Sequence, residues 1–280
     1  MAHPDRYLLA GVMGWPVMHS RSPKLHNYWL AQHHLIGAYV PLAIKEDGLE
    51  KALRALPALG FSGCNLTIPH KEQAMKIVDH VDPVARRIGA MNCVIVGADG
   101  SLSGTNNDGF GYIASIREAK PDWRADQGPV VVLGAGGAAR AVLVSLIDEG
   151  AKEIRLLNRT GARAEELARE FGGPIKTYPW SARHEVLDGA AMLINTTSQG
   201  MVGQPEQDLV LDRLPTSALV SDIVYIPLET TLLAAARKRG NTTVNGLGML
   251  LHQARPAFKA WFGVMPEVTK DLRSMIEATI

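Results

Sequence analysis

Short apolar runs alternate with stretches of helical periodicity along most of the chain. Tyr7–Val12 predicts a strand. Ser22-Pro23 predicts a helix start, with Ser22 as the N-cap and Pro23 at the first helical position. Leu25, Trp29 and Gln32 then follow at helical spacing. Ala38–Ile44 predicts a strand, and Asp47–Leu59 a helix with Leu49, Leu53 and Leu56 on one face. Gly63–Thr67 predicts another strand. Asn92–Val96 and Ser101–Thr105 flank Ala98-Asp99-Gly100, the signature of a hairpin.

The pattern becomes more regular after Asp108. Gly109–Ala119 predicts a helix, and the polar, proline-bounded stretch Lys120–Pro129 a surface connection. Val130–Leu133 is a fully apolar strand, and Gly137–Glu149 an alanine-rich helix ended by Gly150. Glu153–Leu157, Ala191–Ile194 and Leu219–Val224 predict further strands, Ala162–Phe171 a helix. Strands alternating with helices imply a parallel, doubly wound sheet. Leu247–Phe262 and Glu267–Ala278 predict helices.

Composition fits such a fold. The chain has 280 residues, 46% hydrophobic and 20% charged, enough for two domains with sizeable cores. The formal net charge is +1 and no long block carries one sign, so there is no electrostatic footprint for nucleic acid or an anionic membrane. The apolar runs are too short to span a bilayer. Met1–Gly14 lacks a basic segment followed by a long apolar one, so no secretory signal is expected. Cys64 and Cys93 read as reduced, partly buried thiols of a cytoplasmic protein.

The strongest local motif follows Val130–Leu133: Gly134-Ala135-Gly136-Gly137-Ala138-Ala139. Gly134 permits a tight turn, Gly136 lets a pyrophosphate approach the backbone, and the small Ala139 lets helix and sheet pack closely. The helix start then offers free N–H groups to phosphates. The same glycines would also serve a tight turn without ligand; the clear strand before and helix after favour the nucleotide. An NAD enzyme carries an acidic residue about 20 residues further on. Here the next strand ends in Asn158-Arg159-Thr160 instead. Arg159 is either a solvated strand-end arginine or a guanidinium for a 2′-phosphate, and the glycine loop favours the second reading and NADP as cofactor.

Several polar clusters make little sense as packing: Gly14–Asn27, which includes Ser20 and Ser22; Gly63–Lys71, which includes Asn65, Thr67 and Lys71; Gly89–Cys93, around Asn92; and Gly104–Gly111, around Asp108. Taken singly, Ser22 and Asp108 serve as helix caps, Asn65 and Asn92 as turn residues, and Lys71 as a solvated charge. In this order, together with the glycine loop, Asn158-Arg159-Thr160, Asn195–Met201, Asp222–Pro227 and Gly246–Ala254, they resemble the shikimate dehydrogenase family over essentially the whole chain.

That resemblance implies reversible NADPH-dependent reduction of 3-dehydroshikimate to shikimate, in the route to aromatic amino acids. It implies an α/β fold with a mixed α/β substrate domain over residues 1–108, a Rossmann-type NADP-binding domain over 109–245, and C-terminal helices over 246–280 returning to the first domain, with the active site in the cleft. By position, Lys71 and Asp108 match the catalytic pair. Ser20, Ser22, Asn65, Thr67, Asn92 and Gln253 match substrate-binding residues. Gly134, Ala135, Gly136, Gly137, Ala138, Asn158, Arg159 and Thr160 match the cofactor loop and phosphate clamp. Met201, Ile223, Tyr225, Gly246 and Met249 match positions near the nicotinamide, with Tyr225 also reaching substrate.

The chain departs from the family pattern at Leu66 (valine expected), His70 (an aromatic residue), Cys93 and Asn107 (threonine at both). His70 and Asn107 are expected to bear on pH response or affinity, not on the chemistry itself. Reduction of a ketone needs a proton on oxygen, which Lys71 beside Asp108 suits; the sequence does not apportion the proton between them. The hydroxyls and amides suit a polyhydroxy acid. His19, His26 and the His33-His34 pair read as surface or cap residues, and no metal site is expected. Two rivals stand beside this reading. A quinate-using relative accepting NAD is disfavoured by Ser22, where threonine is expected, and by Arg159. A non-catalytic NADP-binding sensor could have discarded Lys71 and Asp108. The partner is a small molecule; a homodimer is compatible with the sequence.

Overall fold

The structure, a computed structural model, describes residues 7–280. Residues 1–6, part of the stretch read for a secretory signal, lie outside the described residues. In chain order the elements are β1 (Leu8–Gly14), α1 (Ser22–Gln32), β2 (Gly37–Ala43), α2 (Leu49–Ala55), β3 (Phe61–Leu66), β4 (His80–Val81), α3 (Pro83–Ile88), β5 (Cys93–Val96), β6 (Leu102–Thr105), α4 (Asp108–Ala119), β7 (Val130–Leu133), α5 (Gly137–Asp148), β8 (Ile154–Leu157), α6 (Gly161–Phe171), β9 (Ile175–Tyr178), β10 (Met192–Asn195), β11 (Leu219–Asp222), α7 (Thr231–Lys238), β12 (Thr242–Val244), α8 (Gly246–Phe262) and α9 (Lys270–Glu277). They form two compact units, one from residues up to 108 together with 251–279, the other from 109–250. The change of unit at the C-terminal side falls inside α8.

The first unit holds a mixed sheet in the order β2-β1-β3-β5-β6-β4. β1 runs parallel to β2 and β3, while β5 is antiparallel to both β3 and β6. Leu49, Leu53 and Leu56 drive the face of α2 and its continuation into a core with Met13, Cys64, Leu66 and Val94. Burial of that face removes apolar area from water, the main favourable contribution to the fold. The distal half of α8 joins this unit: Trp261 Nε1 donates to Val94 O at 2.9 Å, and Phe258 packs edge-on against Trp29 of α1.

The second unit holds a wholly parallel sheet in the order β12-β11-β10-β7-β8-β9. Its central strand β7 is buried at all four positions, as a strand covered by helices on both faces must be. The chain reverses direction of winding between β7 and β10, and doubly wound sheets bind dinucleotides at the carboxyl ends of strands at such a switch.

Several expectations need correction. Arg21, not Ser22, is the N-cap of α1; Ser22 is its first residue, and no side chain caps the helix. The connection 120–129 is pinned at Trp123 and Ala125, which are buried in the core of the second unit. His26, read as a surface or cap residue, is wholly buried. Both cysteines are free and fully buried instead of partly so. Cys64 pairs across the sheet with Val94, and Cys93 with Asn65, so the two thiols stand on opposite faces. Burial pushes both thiols well above the usual thiol range.

Candidate active site

A continuous polar network lies in the first unit where β3, β5 and the start of α4 converge. Lys71 Nζ donates to Asp108 Oδ2 at 2.6 Å. Asn92 Nδ2 donates to Asp108 Oδ1 at 2.7 Å and to Gln253 Oε1 at 3.2 Å. Asn92 Oδ1 accepts the Asn107 backbone N–H at 2.9 Å, and Asn65 Nδ2 donates to Asn92 O at 2.9 Å. Asp108 opens α4, yet both of its carboxylate oxygens are engaged by side chains rather than by helix N–H groups. Its own N–H is taken by Asn106 Oδ1 at 2.9 Å. The carboxylate is 12% exposed and the lysine 30%, so the pair is partly shielded yet reachable. Such a charge-assisted bond is stronger than a neutral one.

The neighbouring residues are held by backbone contacts. Thr67 N donates to Met13 O at 3.0 Å just past β3, and Met91 N donates to Lys71 O at 2.9 Å, which anchors the lysine's own backbone. Ser20 Oγ accepts the Ser22 N–H at 3.3 Å. Arg21 reaches from this loop to Thr279 O at 2.5 Å and to His19 O at 3.0 Å, tying it to the C-terminal residues. Of the departures from the family pattern, His70 is buried with Nε2 against Ile44 O at 2.8 Å. Asn107 contributes its backbone N–H, while its buried Nδ2 has no hydrogen-bond partner. His26 stacks on Tyr39 with ring centroids 4.1 Å apart, and burial pushes its pKa down to about 3.

In the second unit the residues matched to the cofactor line the carboxyl edge of the parallel sheet. Gly134 follows β7 with φ +106, and a Cβ there would meet Thr196 Oγ1 at 2.7 Å, so only glycine fits. At Gly136 and Gly137 an added Cβ would meet no protein atom within 4 Å. Their missing side chains are therefore not explained by packing inside the protein, whereas close approach of a pyrophosphate explains them. Gly136 caps α5 without a side-chain hydrogen bond, which leaves the first-turn N–H groups for an anion. Asn158, Arg159 and Thr160 follow β8; Asn158 Nδ2 donates to Thr160 O at 2.9 Å, and Arg159 is exposed with no ion-pair partner among the described residues. These residues fit a phosphorylated dinucleotide. Ile223 follows β11, and Ile223 and Met249 pack against the core of this unit. A Cβ on Gly246 would fall 1.9 Å from Ile223 O, which explains the glycine. Met201 is exposed and Tyr225 half-buried.

The structure thus brings Asn65, Lys71, Asn92, Asp108 and Gln253 into one network. It places Ser20, Ser22 and Thr67 in the same unit without a direct hydrogen bond to Lys71 or Asp108. Tyr225 belongs to the other unit. Sequence reasoning missed Tyr39, whose hydroxyl donates to Asn65 Oδ1 at 2.7 Å, and Asn106. It also missed a buried network at the ends of β10 and β11. There Asp222 accepts from Asn195 Nδ2 at 3.0 Å, Val224 N at 3.0 Å and Thr230 Oγ1 at 2.8 Å. Burial raises the Asp222 pKa to about 6. A polar residue ending an apolar strand run was the available signal for both Asn195 and Asp222. Arg163, in the first turn of α6 and exposed, was also passed over.

A glycine loop at the switch of a doubly wound sheet, an exposed arginine after the neighbouring strand, and a lysine–carboxylate centre elsewhere in the chain are the parts of a dinucleotide-dependent oxidoreductase. Three family models match: the shikimate dehydrogenase substrate binding domain over residues 12–94, shikimate / quinate 5-dehydrogenase over 117–222, and the shikimate 5′-dehydrogenase C-terminal domain over 246–275. A shikimate dehydrogenase (NADP(+)) of Rhodospirillum rubrum is 56% identical over 272 residues, 96% of each chain. One from Paramagnetospirillum magneticum is 54% identical over 268 residues, covering 96% of this chain and 97% of the relative. A crystal structure of a shikimate dehydrogenase in complex with NADP+ superposes with TM-score 0.90 at 36% identity, covering 98% of this chain and 96% of that one. A quinate dehydrogenase from Corynebacterium glutamicum in complex with NAD gives TM-score 0.89 at 29% identity, covering 98% of both. The chain belongs to the shikimate dehydrogenase family.

Proposed function

We propose that the protein catalyses the reversible NADPH-dependent reduction of 3-dehydroshikimate to shikimate, a step toward the aromatic amino acids. The observation that carries this reading is the Lys71–Asp108 pair, its carboxylate held by Asn92, which in turn donates to Gln253, in a chain whose near relatives are NADP-dependent shikimate dehydrogenases.

NADPH, when bound along Gly134–Ala138 and Asn158–Thr160, supplies the hydride. Met201, Ile223, Tyr225, Gly246 and Met249 would border the nicotinamide end. Lys71 Nζ donates a hydrogen bond and then the proton to the ketone oxygen, and takes the proton back in the oxidative direction. Asp108 Oδ2 keeps Nζ aimed, while Asn92 holds Oδ1 so that the carboxylate cannot rotate away. Ser20, Ser22, Asn65, Thr67 and Gln253 offer hydroxyls and amides to the substrate's carboxylate and hydroxyl groups, with Asn92 and Asp108 bordering the same place. Two buried free thiols and no disulfide fit action in the cytoplasm.

The test is to mix purified protein with NADPH and 3-dehydroshikimate, follow loss of the reduced nicotinamide, and identify the product. Stoichiometric shikimate supports the reading. A chain that binds NADPH but turns over neither shikimate nor quinate in either direction is a sensor on the same scaffold.

A further inference from the structure

Asn65 is buried and its amide is held from both ends. The Tyr39 hydroxyl donates to Oδ1 at 2.7 Å, and Nδ2 donates to Asn92 O at 2.9 Å. Tyr39 is itself fixed with unusual thoroughness for a residue on the edge strand β2. Its backbone N–H donates to Asn27 Oδ1 at 2.9 Å, and its backbone carbonyl accepts from Asn27 Nδ2 at 2.8 Å, so one side chain of α1 grips the residue on both sides. Its ring lies flat on His26, 5° from parallel. Nothing in the proposed reaction uses Tyr39, Asn27 or His26 directly.

An asparagine can present either an oxygen or an N–H to a substrate, and its neighbours decide which. Here Oδ1 faces the buried phenol. One hydrogen of Nδ2 goes to Asn92 O, and neither nitrogen of the nearby His26 ring is hydrogen-bonded, so the second remains for another acceptor. We propose that Tyr39 is a positioning residue whose hydroxyl, held by Asn27 and His26, locks the Asn65 amide so that this position offers the substrate an N–H donor and not an acceptor. The site thereby selects an oxygen with a free lone pair at that place, such as a hydroxyl or carboxylate oxygen of a polyhydroxy acid. The proposal rests on the reading that Asn65 contacts substrate.

Tyr39→Phe removes the donor and keeps the ring and its stack on His26. Asn65 Oδ1 then lies buried without a partner, and the amide is set by Asn92 O alone. The expected result is a KM for shikimate raised about tenfold, with kcat within about twofold and the KM for NADP unchanged. Asn27→Ala, which frees the Tyr39 backbone and leaves the hydroxyl, gives a second handle with a KM rise of the same sense. Both are then repeated in the Asn65→Ala background, where the effect of each on KM vanishes if Tyr39 acts through Asn65. A KM unchanged in folded Tyr39→Phe, with or without a lower melting temperature, overturns the proposal. So does a full-sized effect that persists without Asn65, although the substrate-binding reading then survives. If Asn65→Ala alone leaves the shikimate KM unchanged, that reading falls and the proposal falls with it.

Discussion

Lys71 Nζ lies 2.6 Å from Asp108 Oδ2, and the other oxygen of the same carboxylate is bound by Asn92 Nδ2 at 2.7 Å. The carboxylate therefore cannot turn without giving up one of two bonds, and the ammonium it holds is fixed in direction as well as in place. A positioned acid–base group of this kind contributes on the order of 10²–10⁴ in rate. Lys71→Ala is expected to lower kcat by that factor, with NADP binding retained. Asp108→Asn is expected to lower kcat in the same way. The double variant should lose little more than the worse single one, since the two groups act as a unit. Steady-state kinetics on the three folded variants checks this; near-normal kcat in either single variant removes that residue from the chemistry.

The two kinds of glycine in the nucleotide loop predict two kinds of failure. Gly134→Ala places a Cβ 2.7 Å from Thr196 Oγ1 on a backbone with φ +106, so it is expected to lower the melting temperature. Gly136→Ala meets only open space, so the melting temperature of the free protein should hold while the KM for NADP rises. Melting curves with and without NADP separate the two. A Gly136→Ala variant with normal NADP binding would leave that glycine unexplained.

Arg159 predicts the choice of cofactor. A hydrogen bond from a guanidinium to a phosphate contributes roughly 1.5–3 kcal/mol, a preference of about tenfold to a few hundredfold. Arg159→Ala should erode the preference for NADP mainly by weakening NADP, with little change for NAD. Added salt should weaken NADP binding more than NAD binding, because the side chain is exposed. If the preference survives Arg159→Ala, the discriminating contact lies on another group, and Arg163 in the first turn of α6 is the first to replace.

His26 predicts how the fold responds to acid. Its pKa falls from 6.5 to about 3 on burial, so the unfolded chain binds a proton at a pH where the folded one does not. The sign follows: the stability that neutral His26 permits is present above pH 6.5 and is lost as pH falls from there toward 3. Asp222, raised from 3.8 to about 6, works in the opposite sense, favouring the fold as pH falls through that window. His26→Phe keeps an aromatic ring against Tyr39 and removes the titration. Between pH 7 and 5 the variant should lose about 2 kcal/mol less stability than the wild type, at roughly 1.4 kcal/mol per pH unit below the unfolded pKa. Urea unfolding at the two pH values measures it, and parallel losses in both proteins would contradict it.

The parallel sheet was legible because its central strands are buried on both faces and read as unbroken apolar runs, Val130–Leu133 above all. Its edges were not. Ile175–Tyr178 is buried at neither end, and Thr242–Val244 is short and polar, so neither carries the unbroken apolar run of the central strands. Helix α7 did carry one, with Thr230 as N-cap and Leu232, Leu233 and Ala236 on one face, and it went unread. In the site, the residue types were legible through their motifs, but their partners were not. Tyr39 and Asn65 are joined only by the pairing of β1 with both β2 and β3, which no local pattern encodes. His26 misled for the same reason: a histidine in a polar stretch does not announce that Tyr39, Trp29 and Phe258 will enclose it.

The most direct test crosses two substrates with two cofactors: kcat/KM of the unmodified protein for shikimate and for quinate, each with NADP and with NAD. Shikimate with NADP is expected to exceed each other combination, and to exceed shikimate with NAD by at least about tenfold, the lower bound set by one charged hydrogen bond to the 2′-phosphate. Equal or faster turnover of quinate, or indifference between NADP and NAD, would contradict it.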